Sequence, residues 1–136
     1  MCASETRLRL LDDVGLEHAG WATIYTARAA IEARVLVTNR IPPVTIAGRK
    51  MHQVGLPYHW GTRLLTSGDS ANDLMHTALD PNVHIQEVKA ITCGVRPGRR
   101  PRGQALTDFV AEIRDQAHSR REMAPREEPE KTRQTT

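Results

Sequence analysis

From Trp21 onward the chain alternates apolar and polar residues with a period of two. Ala22-Thr23-Ile24-Tyr25-Thr26 is one such run, and Ile31-Glu32-Ala33-Arg34-Val35-Leu36-Val37-Thr38 is the next, with Ile31, Ala33, Val35 and Val37 on one face. That period is the signature of half-buried strands, so the pattern predicts two strands joined as a hairpin through residues 27–30. Pro42-Pro43 ends the second strand, because proline cannot donate to a ladder. Val44-Thr45-Ile46, then Ala47-Gly48-Arg49-Lys50, then Met51-His52-Gln53-Val54 reads as strand, tight turn and strand. A polar loop at residues 66–70 leads into a short helix with Asp69 or Ser70 as its N-cap. Ile91, Cys93 and Val95 alternate again as a last strand, closed by Pro97-Gly98.

The period then changes. Leu106, Phe109, Val110, Ile113 and Ala117 recur at helical spacing, which predicts an amphipathic helix within residues 103–121. Residues 122–136 mix charges and prolines without periodicity and read as a disordered tail. Met1 to Leu16 is ambiguous, with Leu8, Leu10 and Leu11 compatible with a short helix ending at Gly15. The expectation is a mainly β body over residues 1–103, a helix over 104–121 and a tail over 122–136.

Composition narrows the class. At 136 residues the chain is one domain at most, and its 39% apolar content implies that part of it is solvated. No stretch approaches the roughly 18 consecutive apolar residues of a membrane span. Met1 to Asp13 is acidic without a long apolar core, so no signal peptide is expected there. Cys2 and Cys93 have no CxxC partner, which suggests reduced thiols and a cytoplasmic protein. The net charge of +3 is local: Arg96, Arg99, Arg100 and Arg102 cluster with no acid between them. A solvated, proline-broken linker is favoured over a phosphate or nucleic-acid site, because no aromatic is interleaved for base stacking.

Chemistry concentrates in Val54-Gly55-Leu56-Pro57-Tyr58-His59-Trp60-Gly61. A stiffening proline, two glycines that permit close approach, a histidine and two aromatics together suit a flat, polar ligand. The bland alternative is that His59 and Trp60 pack in a core and that Asn72, further along, caps a helix.

The segments Ile31 to Arg40 and His52 to Gly61, with Asn72-Asp73-Leu74, Ala78-Leu79-Asp80-Pro81 and Glu87-Val88-Lys89, resemble the C-terminal domain of formate dehydrogenase large subunits. The wider family is the molybdopterin (or tungstopterin) oxidoreductases. The resemblance covers residues 14–103 and extends weakly toward Met1, where Cys2 to Leu11 would be a remnant of the first strand and following helix. It implies a double-psi β-barrel, whole or incomplete at its N-terminus, that caps a molybdopterin guanine dinucleotide. It further implies cofactor contacts at His59, Trp60, Gly61, Asn72, Glu87 and Lys89.

The residue types agree with that implication. A pyrophosphate wants backbone N–H groups and a cation, as at Gly61 and Lys89. Pterin and purine edges want donor and acceptor side chains, as at Asn72, His59 and Glu87, and Trp60 or Tyr58 offers a stacking face. Val88 stands where many relatives carry an aromatic. The resemblance further implies that the molybdenum or tungsten is held by a catalytic part, a partner if it is encoded separately; two isolated cysteines cannot build the four-cysteine cluster of that part, so the chain alone should not oxidise formate. The alternative is a stand-alone β-barrel interaction module, or a gene remnant, that has lost the cofactor.

Two other constellations are weaker. Gly68-Asp69-Ser70 with Asp115-Gln116-Ala117-His118 mimics blocks of a serine esterase family, but a triad needs its three groups within hydrogen-bond reach. His18, His52, His59, His76, His84 and His118 show no HxxxH spacing for zinc.

Overall fold

The computed structural model describes residues 3–6, 15–38, 40–57, 68–77, 79–86 and 91–123. Its strands are β1 (Ala3–Thr6), β2 (Trp21–Tyr25), β3 (Ala30–Val37), β4 (Val44–Ile46), β5 (Arg49–Met51) and β6 (Gly94–Pro97). A 3-10 turn, η1, spans Ala71–Leu74, and one α-helix, α1, spans Gln104–Met123. The described residues are therefore mainly β, with a C-terminal helix. Among the described residues no helix is long and apolar enough to cross a membrane.

The predicted hairpin is the centre of the molecule. β2 pairs antiparallel with β3, placing Ile24 opposite Ile31 and Ala22 opposite Ala33. β6 adds antiparallel to β2, and β1 adds parallel to β3, giving a four-stranded sheet in the order β1-β3-β2-β6. β4 and β5 pair with each other in a separate two-stranded sheet. Among the described residues the sheets do not close into a barrel. β4 and β5 are three residues each and exposed along their length.

The turn between β4 and β5 is tighter than the sequence suggested. Ala47 and Gly48 both have positive φ, 49° and 74°, as a two-residue hairpin of the primed type requires. Arg49 and Lys50 therefore belong to β5 rather than to the turn, and the strand stops at Met51 instead of continuing to Val54.

Period-two alternation gives the central sheet two different faces. On one, Ile24, Ile31 and Ala33 form an apolar cluster with Leu74, and Leu56, Ile91, Cys93 and Val95 pack around it. Leu16, Ala22 and Val35 continue the same face. The other face is aromatic and cationic. Tyr25 meets Phe109 of α1 edge-on at 5.4 Å, Arg96 lies over the Phe109 ring at 4.0 Å, and Trp21 is sandwiched between Arg34 and Arg99 at 4.4 and 4.3 Å. Guanidinium groups over aromatic faces gain from the ring quadrupole while still reaching water.

α1 begins close to where the spacing predicts and runs two residues further, to Met123. Leu106, Phe109, Val110 and Ile113 are half-buried, whereas Ala117 is exposed, so only the first three turns lie against the sheet. Arg114 ties the helix to the β2–β3 turn by donating to the Ala27 carbonyl at 3.2 Å.

Candidate functional site

Of the six residues that the resemblance marks as cofactor contacts, only Asn72 lies among those described; His59, Trp60, Gly61, Glu87 and Lys89 fall outside them. Asn72 is the second residue of η1. The Asn72 N–H donates to the Ser70 hydroxyl oxygen at 3.2 Å, and its carbonyl accepts from the Met75 N–H at 3.1 Å. Ser70 is thus the N-cap, one of the two residues expected, and the reading of Asn72 as the cap does not hold. Asn72 is exposed, and among the described residues its side-chain amide has no hydrogen-bond partner.

The turn is short, and its placement comes from its ends. At its exit Leu74 is fully buried against Ile24, Ile31 and Ala33, and the Leu74 carbonyl accepts from the Thr26 hydroxyl at 3.0 Å. At its entry the Asp69 carboxylate accepts the Glu32 backbone N–H at 2.9 Å and two bonds from Arg100, at 2.6 and 3.0 Å. Ala71 is buried, and Asn72 and Asp73 face out. A donor–acceptor amide is therefore presented to solvent from a backbone fixed on both sides.

The charges around this turn are matched. Burial would raise the Asp69 carboxyl, but the Arg100 guanidinium and the Glu32 N–H outweigh it and hold the group below the usual carboxylate range. The Arg99 guanidinium does the same for Glu32 through bonds of 2.6 and 3.2 Å, with Arg102 adding a contact at 3.3 Å. The arginine cluster is consequently not the solvated linker that its composition suggested. Arg99, Arg100 and Arg102 are paired with Glu32 and Asp69, and Arg96 covers Phe109.

An apolar cavity of about 370 Å³ opens between the β4–β5 hairpin and η1, lined among others by Met51, Leu56, Leu74, Met75, Ile91 and Cys93. His52 also borders it, and its Nδ1 is buried without a hydrogen-bond partner among the described residues. Burial pushes the Cys93 thiol up, so it is a neutral thiol and a poor nucleophile at ordinary pH. No group of three or more His, Cys, Asp or Glu side chains among the described residues could hold a metal ion.

The esterase-like pattern does not assemble. The Ser70 hydroxyl oxygen accepts the Asn72 N–H, while His118 is exposed on α1 with Nδ1 placed 2.9 Å from the carbonyl oxygen of Arg114. No hydrogen bond joins the two among the described residues. What sequence reasoning missed is the pairing of Asp69 with Arg100 and the Glu32 N–H, since Asp69 was read as an N-cap candidate and Arg100 as part of a solvated linker. The partners lie 31 and 37 positions from Asp69, and no local spacing signals such pairings.

Residues 9–92, more than half of the chain, match the family described as "Molydopterin dinucleotide binding domain". The chain is 37% identical over 87 residues to formate dehydrogenase 2 subunit alpha (cytochrome c-553) of Nitratidesulfovibrio vulgaris, a match covering 64% of this chain and 9% of that protein. It is 34% identical over 82 residues to formate dehydrogenase subunit alpha of Megalodesulfovibrio gigas, covering 60% of this chain and 8% of the relative. The nitrate-inducible major subunit of Escherichia coli formate dehydrogenase is 30% identical over 82 residues, again 60% of this chain and 8% of the relative. The matched stretch thus spans less than a tenth of the length of each of these relatives.

Proposed function

This chain belongs to the molybdopterin dinucleotide binding domain family, and from that membership we propose that it binds molybdopterin guanine dinucleotide as the C-terminal, closing part of a formate dehydrogenase-like oxidoreductase. The observation that carries the reading is Asn72, an outward-facing amide on a turn fixed at both ends, at the position where the family pattern expects a cofactor contact. An amide offers both a donor and an acceptor, which fits the edge of a pterin or a purine. His59 and Glu87 are proposed to read the remaining ring edges. Trp60 supplies a stacking face, and the Gly61 N–H and Lys89 receive the pyrophosphate. The cofactor, with its molybdenum or tungsten, supplies the electron-transfer chemistry when bound, and the chain's own residues hold it and keep water out.

The proposed complete fold is a double-psi β-barrel of residues 1–103, followed by the helix and a tail. The parallel pairing of β1 with β3 beside antiparallel neighbours supports it, since an up-and-down barrel has no such crossover. The catalytic part of a molybdopterin oxidoreductase, in the cytoplasm, is the proposed partner. Exposed apolar side chains support a docked rather than a free-standing role: Ile46 on the β4–β5 hairpin is 56% exposed, and Val83 and Ile85 are 63% and 67% exposed.

Guanosine diphosphate carries the guanine and pyrophosphate of the cofactor and serves as a probe. Titration by calorimetry is expected to show guanosine diphosphate binding more tightly than adenosine diphosphate. Trp60→Ala and Asn72→Ala are each expected to weaken binding about tenfold, the loss of a stacking face or of a paired amide. Unchanged affinity in both variants would remove these residues from the site.

A further inference from the structure

We propose that residues 98–102 are a latch that positions the Asn72 turn, with Arg100 as the positioning residue. The latch lies beyond the family match, which ends at residue 92. Its start is pinned to the sheet: the Gly98 N–H donates to the Trp21 carbonyl at 2.8 Å, and the Gly98 carbonyl accepts from the Thr23 hydroxyl at 3.0 Å. Gly98 has a φ of 93°, a conformation that side chains disfavour, and this turns the chain back across the sheet face.

From that pinned start the arginines reach two acids. Arg99 and Arg102 hold the Glu32 carboxylate, and Arg100 holds the Asp69 carboxylate with two parallel bonds. The same Asp69 oxygen that takes the shorter Arg100 bond also accepts the Glu32 backbone N–H at 2.9 Å. Glu32 and Asp69 are 37 residues apart, so this node fixes the loop entering η1 directly to β3. A bidentate guanidinium–carboxylate pair sets orientation as well as distance, which a single N–H bond does not.

Asp69 precedes Ser70, whose hydroxyl takes the Asn72 N–H, and Ser70 O takes the Asp73 N–H at 3.2 Å. Rotation of the Asp69 backbone would therefore swing the cap and Asn72 with it. Arg100 acts on Asn72 only through Asp69. The consequence for ligand binding rests on the reading of Asn72 as a cofactor contact; the mechanical coupling does not.

Amide hydrogen exchange on the full chain separates the two. Arg100→Ala is expected to speed exchange about tenfold at Asn72, Asp73 and Met75 while Ile24 and Ala33 in the central hairpin keep their protection, the mark of local opening. Arg100→Lys, which keeps the charge without the fork, should fall between Arg100→Ala and the wild type. Asp69→Asn, which keeps an acceptor for the Glu32 N–H, should reproduce Arg100→Ala and decides the matter should that variant fail to fold. Guanosine diphosphate affinity should drop about threefold in Arg100→Ala, less than in Trp60→Ala. Unchanged exchange at residues 72–75, or equal acceleration there and in the central hairpin, would overturn the latch. A wild-type chain that binds no guanosine diphosphate would overturn the ligand reading alone, and the exchange pattern would still decide the latch.

Discussion

Leu74 does two things at once. Its side chain is fully buried in the central apolar cluster, and its carbonyl is the acceptor for a buried Thr26 hydroxyl. Leu74→Ala should cost about 2–5 kcal/mol, the range for emptying a well-packed leucine site, measured as a lowered denaturant midpoint. Gly94 is a second such position. A methyl group there would run into the Tyr25 ring, which lies across it from the paired strand. Gly94→Ala should therefore destabilise by about 1–3 kcal/mol by the same assay. The two differ in how visible they were beforehand. Ile24, Ile31 and Ala33 announce themselves by alternation, because burial on one sheet face imposes a period of two. The demand on Gly94 comes from a side chain far away in sequence, and no local pattern carries it. Asn72 was legible as a ligand candidate, but its bland reading as a cap failed, because Ser70 already occupies that role.

At the scale of elements, β2, β3 and α1 were legible because each obeys its own hydrophobic period, whereas β1 lies in the ambiguous stretch of residues 1–16 and the last strand, read on Ile91, Cys93 and Val95, is found at Gly94–Pro97. β5 starts early because the Ala47-Gly48 turn needs only its two positive-φ residues. The arginine segment was misread for a physical reason. Composition registers charge density, whereas Glu32 lies 67 residues from Arg99 and is brought to it only by folding. That pairing gives a pH dependence with a definite sign. Glu32 and Asp69 both have carboxyls lowered in the folded state, chiefly by the Arg99 bond for Glu32 and, against burial, by Arg100 for Asp69. Their contribution is fully present above the ordinary carboxylate range and is lost as pH falls through the lowered folded values. Melting temperature should therefore be flat near neutrality and fall below about pH 4. Asp69→Asn should flatten part of that fall while lowering stability at pH 7 by about 1–2 kcal/mol, as for a charged hydrogen bond that is only partly shielded. An identical acid profile in Asp69→Asn would show that the latch carries no charge coupling.

For the molecule as a whole, the two faces of one sheet divide the labour. The apolar face builds the core that seats η1, and the aromatic–cationic face is covered by α1 and the arginine segment. The Asn72 turn is thereby held from opposite sides, by Leu74 from the core and by Arg100 from the covered face. The closure of the barrel was expected from family resemblance, and among the described residues the strands form an open sheet and a separate hairpin. Apolar side chains remain exposed on that hairpin and at Leu79, Val83 and Ile85. The matched stretch covers less than a tenth of the length of the relatives. The most direct test is purification of the tagged chain from its native host, with pterin and metal analysis of the eluate and mass spectrometry of what accompanies it. The account predicts a molybdopterin guanine dinucleotide together with a larger iron–sulfur molybdoprotein or tungstoprotein. A chain that emerges alone and free of pterin would contradict it, leaving a β-rich module that shares the family's sequence and not its cofactor.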